Sequence, residues 1–328
     1  MTQPLRPMNL GGILDRTFHI YRSRFLVFVL IGIAPQLAHG IFLLLGEIER
    51  YTTLSYAIKE MLGRAANQLP NDWPASFVHF LGWPLIAYLV SRDLQGERPT
   101  LTTALNWCRN RWKSWLAISA LLWAVCTVVP FLLQRLIWAS GLQAWAWRHL
   151  GFEILSSPGS LLFFLAQWSF GSLLVFAIAL SAPVWAIEQI ATLQSIRRGW
   201  PLVRGIWIRI AVTLIMRDAL QWILTASLMF VVGILFKVAF RNYADEAAQI
   251  SIRWNIFVVM NRVSSVLVAP LLPIAVTLFY YDQRIRLEGY DIERMMTAAG
   301  LNPTAPLTPD PEVAVPSAPA SVNPEAQA

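Results

Sequence analysis

Six apolar stretches set the terms for every other feature of this chain. They run over residues 25–45, 75–90, 115–133, 161–187, 219–236 and 263–281. Bilayer hydrocarbon about 30 Å thick calls for roughly 20 apolar residues in a helix. Within it, every backbone N–H and C=O must find a partner inside the segment. A chain with six such runs is expected to be all-α and polytopic. Composition agrees: 56% of the 328 residues are hydrophobic and only 14% charged, where a soluble domain carries about 25% charged residues. Fifteen Trp suit anchoring at the headgroup level of both leaflets.

The basic residues orient the runs, because Lys and Arg collect on the cytoplasmic side. The N-terminal segment, the second and fourth connections and the stretch after the last run hold fifteen Lys and Arg between them. The opposite side holds eight: Arg50, Lys59, Arg64, Arg135, Arg148, Lys237, Arg241 and Arg253. Both termini are therefore expected in the cytoplasm. The net charge of +7 has the same source, since each basic cluster flanks an apolar run. Anionic lipid headgroups, and not nucleic acid, are the expected partners. Cys108 falls on a cytoplasmic connection and Cys126 within a run, which argues against a disulfide framework. The first run follows mostly polar residues and has no small-residue cleavage site, so it reads as a span and not as a signal peptide. From Leu301 to Ala328 the chain turns to Pro, Ala and polar residues without an aromatic. Such a segment buries too little to fold and is expected to be a disordered cytoplasmic tail. Residues 1–300 remain as the membrane domain.

Three stretches ahead of the odd-numbered runs resemble one another: ILDRTFHIYRSRF from Ile13, LTTALNWCRNRWKSW from Leu101 and LQSIRRGWPLVRGIW from Leu193. Each is amphipathic at helical spacing. The apolar faces are Leu14, Phe18, Tyr21 and Phe25; Leu101, Leu105, Cys108, Trp112 and Trp115; and Leu193, Ile196, Trp200, Val203 and Trp207. Aromatics on one face with Arg on the other predict helices lying in the membrane interface. The even-numbered runs share Pro84, Pro183 and Pro273, each followed by Ala87, Ala186 or Ala275; a proline there should bend the span. The pattern suggests three units, each an interfacial helix plus a transmembrane hairpin.

The opening LGGILDRTFHIYRSRF, the six runs and the closing LFYYDQRIRLEGYDIE together resemble the bacterial glycerophosphoryl diester phosphodiesterase membrane domains, over most of residues 8–296. The most specific match is Tyr281-Asp282-x-Arg284-x-Arg286-x-Glu288-Gly289-x-Asp291. The resemblance implies a multi-pass protein of the bacterial cytoplasmic (inner) membrane. It does not imply the phosphodiesterase activity. None of His19, His39, His79 or His149 precedes Arg-Gly, and no connection is long enough for a catalytic barrel.

Two sets of residues stand out as candidate sites. In the closing motif, Tyr280 and Tyr281 are expected to anchor the last run at the interface, Gly289 to end its helix and Asp291 to cap a short helix after it. Asp282, Arg284, Arg286 and Glu288 either mark a topology signal or dock onto the interfacial helices or a partner. In the fifth run, Arg209, Thr213, Arg217, Gln221 and Thr225 recur every fourth residue as a polar stripe. From Ile206 to Phe236 a helix would be about 46 Å long at 1.5 Å per residue, more than one upright crossing. Arg217 could sit among headgroups, or line a polar groove with Glu188 as counter-charge; Asp218 points about 100° away on an ideal helix. Gln36, His39, His79, Gln167, Asn261 and Arg262 border or interrupt runs. No metal cluster, phosphate loop or nucleophile elbow is legible, so no catalytic residue, metal or cofactor is assigned. The expectation is a membrane scaffold or lipid-handling module, alone, as a homo-oligomer or with a membrane partner. A small transporter or channel using the fifth-run groove is the alternative, ahead of a membrane-embedded lipid enzyme.

Overall fold

The computed structural model describes residues 7–51, 73–132, 178–239 and 246–298, which form helices joined by short turns, with no strand among them. Residues 161–177 of the fourth run, including Gln167, lie outside the described residues, as do Lys59, Arg64, Arg135, Arg148, Arg241 and the tail 301–328.

The first helix, α1 (Leu10–Ser23), turns through 90° at Arg24 into α2 (Phe25–Tyr51). Next come α3 (Trp73–Leu94), the short α4 (Leu101–Asn110), a break at Arg111, and α5 (Trp112–Trp123). A π-helical turn, Ala124–Val128, carries α5 on to Leu132. The chain continues with α6 (Ser181–Glu188), α7 (Thr192–Arg204), a break at Gly205, and the 33-residue α8 (Trp207–Ala239). It closes with α9 (Glu246–Val268), α10 (Leu271–Glu288) and α11 (Tyr290–Ala298).

Local chemistry explains several of these boundaries. Asn9 caps α1, its Oδ1 accepting the Gly12 N–H at 2.8 Å, and Thr100 caps α4 through the Thr103 N–H at 3.2 Å. A side-chain oxygen there satisfies a donor that the first turn leaves without a partner. Pro84 stays inside α3, whereas Pro183 and Pro273 do not bend continuous helices. Each is the third residue of a new one, α6 or α10, after a turn. Proline is tolerated in a first turn, where its missing N–H would have no helical partner anyway. The run 263–281 is therefore interrupted at Ala269–Pro270. The fifth run, by contrast, belongs to one unbroken helix that starts at Trp207 and not at residue 219, and the interfacial segment before it is the separate α7. At the far end Gly289 adopts φ 65°, the left-handed conformation that ends α10. Asp291 lies within the first turn of α11, where its charge suits the helix dipole, and not at its cap.

Among the described residues, three helices are long and apolar enough to cross a membrane: Trp112–Leu132, Trp207–Leu235 and Asn255–Glu288, the last counted through the turn at Ala269–Pro270. The bent pair α1–α2 makes a fourth if its two arms form one span. These helices fit a membrane protein and differ sharply in surroundings. The protein covers 78% of the most apolar window of Asn255–Glu288 but only 6% of that of Trp207–Leu235. So α10 is the central post and α8 a peripheral one. Helices α1, α3, α6, α7, α8 and α11 all pack on α10, and Leu271 to Gln283 are buried without a gap. This overturns the expected role of Tyr280 and Tyr281. Both are fully buried against protein instead of facing the interface, because α10 is enclosed on every side at their level.

The amphipathic faces match expectation only in part, at Cys108 and Val203. The sides that pack are Ile13, Thr17 and Ile20 on α1, Ala104 and Cys108 on α4, and Ser195, Gly199, Leu202 and Val203 on α7. The larger side chains point outward: Phe18, Leu105 and Trp112 are exposed, as are Trp200 at 48% and Leu193 at 65%. Thr17, Ala104, Ser195 and Gly199 let each short helix sit close on the bundle beside the buried Ile13, Ile20 and Leu202. Cys108 and Cys126 are both free. Burial pushes the Cys108 thiol up to about 12, which keeps it protonated and unreactive near neutrality.

Helix α2 leans on α9 through Gly32, where an added Cβ would collide with the Val266 carbonyl oxygen. Gly40, two turns further along the same helix, has nothing within 4 Å of that position. Gly32→Ala is therefore expected to lower stability by about 1–3 kcal/mol through overpacking. Gly40→Ala should be neutral or raise it by up to about 1 kcal/mol through helix propensity. Thermal unfolding of the two variants in the same detergent checks the order; equal effects would rule out the close approach.

Candidate functional site

The closing motif splits between two faces of α10. On an α-helix, residues four apart share a side and residues two apart oppose one another. Asp282 and Arg286 accordingly face one way, Arg284 and Glu288 the other, and each pair anchors its own cluster.

On the first face Asp282 has 0% of its side chain exposed. A carboxylate so enclosed must be matched by charge and hydrogen bonds. Its Oδ1 accepts the backbone N–H of Met8 at 2.7 Å, and its Oδ2 accepts from Arg209 of α8 at 2.8 Å. Arg286 donates from Nε to both oxygens, at 3.1 and 3.0 Å. The two arginines then converge on the carbonyl of Met8, Arg209 at 2.7 Å and Arg286 at 2.9 Å. The Arg209 guanidinium also lies 5.4 Å from the Phe279 ring centre, a favourable placement for a cation over an aromatic face. Residue 8 is thus held by its peptide group, between charges from α8 and α10.

On the second face acids and bases alternate. Glu188, at the end of α6, accepts from the Tyr280 hydroxyl at 2.8 Å and from Arg198 of α7 at 3.3 Å. Arg198 also pairs with Glu288, Glu288 accepts from Arg284 at 3.0 Å, and Arg284 lies 4.3 Å from the ring centre of Tyr290. Burial opposes the charge on Arg198, but its hydrogen bond to Glu288 and the charges of Glu188 and Glu288 outweigh it. They hold the guanidinium above its ordinary range. This cluster joins α6, α7, α10 and α11.

The polar stripe of the fifth run does not form a continuous lining. Arg209 belongs to the Asp282 cluster. Thr213 and Thr225 donate to carbonyls one turn back, those of Arg209 and Gln221, each at 2.8 Å. Gln221 reaches Asn261 at 3.3 Å. Arg217 pairs with Asp218 at 2.6 Å, so the expected pairing with Glu188 does not occur. Glu188 is occupied by Tyr280 and Arg198. A long guanidinium also bridges the 100° step between neighbours that ideal helix geometry puts out of reach of shorter groups. Thr213 and Arg217 do border a groove of about 280 Å³ between α1, α8 and α10.

Sequence reasoning passed over Met8, which contributes only its backbone, and Arg24, counted merely as a positive charge. At the α1–α2 corner Arg24 donates to Asp93 at 2.9 Å and to the carbonyls of Pro99 and Glu97 at 2.5 and 3.3 Å, stitching the α3–α4 turn. Its place next to a helix break was the available signal. Among the described residues no group of three His, Cys, Asp or Glu side chains could hold a metal ion.

Asp282→Asn leaves Arg209 and Arg286 facing a neutral amide and should cost about 3–5 kcal/mol, as for a broken buried pair. Arg286→Ala should cost less, about 1–3 kcal/mol, because that side chain is 42% exposed and Arg209 and the Met8 N–H still match the carboxylate. Unfolding midpoints of the purified variants test the difference, and equal losses would count against Asp282 as the centre. Set against known proteins, the chain matches no family model, no curated protein and no solved structure.

Proposed function

We propose that the chain is a non-catalytic, lipid-organising scaffold of a bacterial cytoplasmic membrane. It crosses six times in three units, each an interfacial helix followed by a hairpin, with both termini in the cytoplasm. One observation carries this reading: a tie near each helix break closes onto the end of a later helix. Arg24 reaches Asp93, Arg111 reaches Gln189 and Arg209 reaches Asp282, across 69, 78 and 73 residues. Beside each tie the later helix ends near a left-handed residue, Gly96, Gln189 or Gly289. Similar ties at similar spacing are what three related units would produce. The short helices α1, α4 and α7 sit at these breaks with arginines nearby; Phe18 of α1, Trp200 of α7 and Trp112 just after α4 turn outward, the distribution that suits anionic headgroups. The resemblance of the closing motif to glycerophosphoryl diester phosphodiesterase membrane domains points the same way, since its charged residues are those engaged in both α10 clusters.

Transport is the weaker reading. Arg209, Thr213, Gln221 and Thr225 are engaged within the bundle, whereas a conducting path needs polar groups free to exchange partners with a solute. Reporters inserted in the full-length chain test the topology. Insertions at Gly96, Gln189 and Ala298 are expected to read cytoplasmic, and those at Gly63, Gly141 and Asn242 external. A single reversed position would remove the six-crossing arrangement. Solute flux through reconstituted protein, abolished by Arg217→Ala, would replace the scaffold with a transporter.

A further inference from the structure

Arg217 of α8 has incomplete hydrogen bonding among the described residues. One terminal nitrogen donates to Asp218, but Nε is out of solvent with no acceptor among the described residues. A guanidinium carries five N–H donors, and a buried donor left without a partner is costly. Arg217 lies eight residues beyond Arg209, about 12 Å further along the helix at 1.5 Å per residue. There it borders the groove between α1, α8 and α10, whose walls are otherwise almost wholly apolar: Leu14 and Phe18 from α1, Leu220 and Ile223 from α8, Leu272 from α10. The groove encloses about 280 Å³; a dry cavity of roughly 150 Å³ already accepts a benzene-sized molecule. It also opens onto the bare face of α8, where Ile215, Trp222 and Ile223 are exposed. An amphiphile satisfies both halves of such a site, with a hydrocarbon tail for the walls and an acceptor for the Arg217 donors that Asp218 leaves free.

We infer that this groove binds one glycerophospholipid, its acyl chain between α1, α8 and α10 and its phosphate accepting from Arg217. The inference deepens the lipid-organising reading above and rests on it. The bound lipid would fill the space beneath the interfacial helix α1 and complete the hydrogen bonding of Arg217. Phosphate, rather than a neutral ester alone, matches the cation, because hydrogen bonds between ionised partners are the stronger ones.

Native mass spectrometry of the full-length chain, washed of lipid in detergent and then titrated, tests this. The probes are phosphatidylglycerol and a diacylglycerol with the same chains but no phosphate. The wild type should take up one phosphatidylglycerol, with the diacylglycerol at least tenfold weaker. Arg217→Gln should erase that preference. Ala219→Trp, which fills the groove from an exposed position of α8, should lower uptake of both lipids tenfold or more. Leu26→Ala, on the exposed side of α2, should change neither. Should Arg217→Gln fail to fold, Ala219→Trp against the wild type carries the comparison. Equal uptake by wild type and Ala219→Trp overturns the site. So does a dimer that Ala219→Trp dissolves without any lipid loss, which would make a second copy of the chain the occupant. Alkaline extraction of the same membranes separates the two levels of the argument: a chain that washes off sinks the membrane reading and the groove together, and one that stays without binding lipid sinks only the groove.

Discussion

A carboxylate shut away from water governs much of this architecture. Asp282 is accommodated in its enclosure because two guanidinium groups and a peptide N–H surround it. Those partners come from α8, from α10 itself and from the segment ahead of α1, so matching one charge fixes three parts of the chain together. It also sets the rotation of α10 about its axis. With Asp282 and Arg286 turned toward Met8, the residues between them must face the opposite way. Arg284 and Glu288 are then presented to α7 and α11, and the second cluster follows from the first.

Enclosure of α10 explains why polar groups cluster at one end of it. Along Leu271 to Phe279 the helix offers only apolar and hydroxyl groups to its neighbours, and Thr277 satisfies its own hydroxyl through the Pro273 carbonyl. Beyond Tyr280 every turn carries charge, answered from α7, α8 and α11, from the Met8 peptide group or from within α10 itself. The peripheral α8 behaves differently. It touches the bundle along α9 and α10 and leaves Trp222, Phe230, Val231 and Leu235 exposed, a surface that hydrocarbon tolerates and water does not. The groove at Arg217 lies where these two regimes meet.

Helical periodicity and helix-ending residues were legible in the sequence, so the short amphipathic helices and the stop at Gly289 could be placed before any coordinates. Which side of an amphipathic helix packs was not. Thr17 and Phe18, or Gly199 and Trp200, are neighbours on one broad apolar arc, and the choice between them depends on how closely the next helix approaches. Aromatic residues at the end of an apolar run are ambiguous for a related reason. Tyr280 and Tyr281 suit a lipid interface or a protein core equally well, and the enclosure of α10 decides the matter. The pairing of charges was the least legible feature. Glu188 joins Arg198, only ten residues on, and Arg217 joins the residue beside it, whereas Arg209 finds Asp282 at a distance of 73 residues. The Met8 peptide carries no signature at all, because any residue but proline offers the same N–H and C=O.

That last property has a consequence for assembly. The first partner of the Asp282 cluster is made some 270 residues before the last, as the 274-residue separation of Met8 and Asp282 records, and no local contact can substitute for it. Until α10 is in place, Arg209 lacks its carboxylate and has only the Met8 carbonyl from this cluster. The Arg209 charge is therefore matched only when the last part of the membrane domain has been made. Because the cluster grips backbone, any residue but proline at position 8 could make these bonds, and what the Met8 side chain adds is packing against the core.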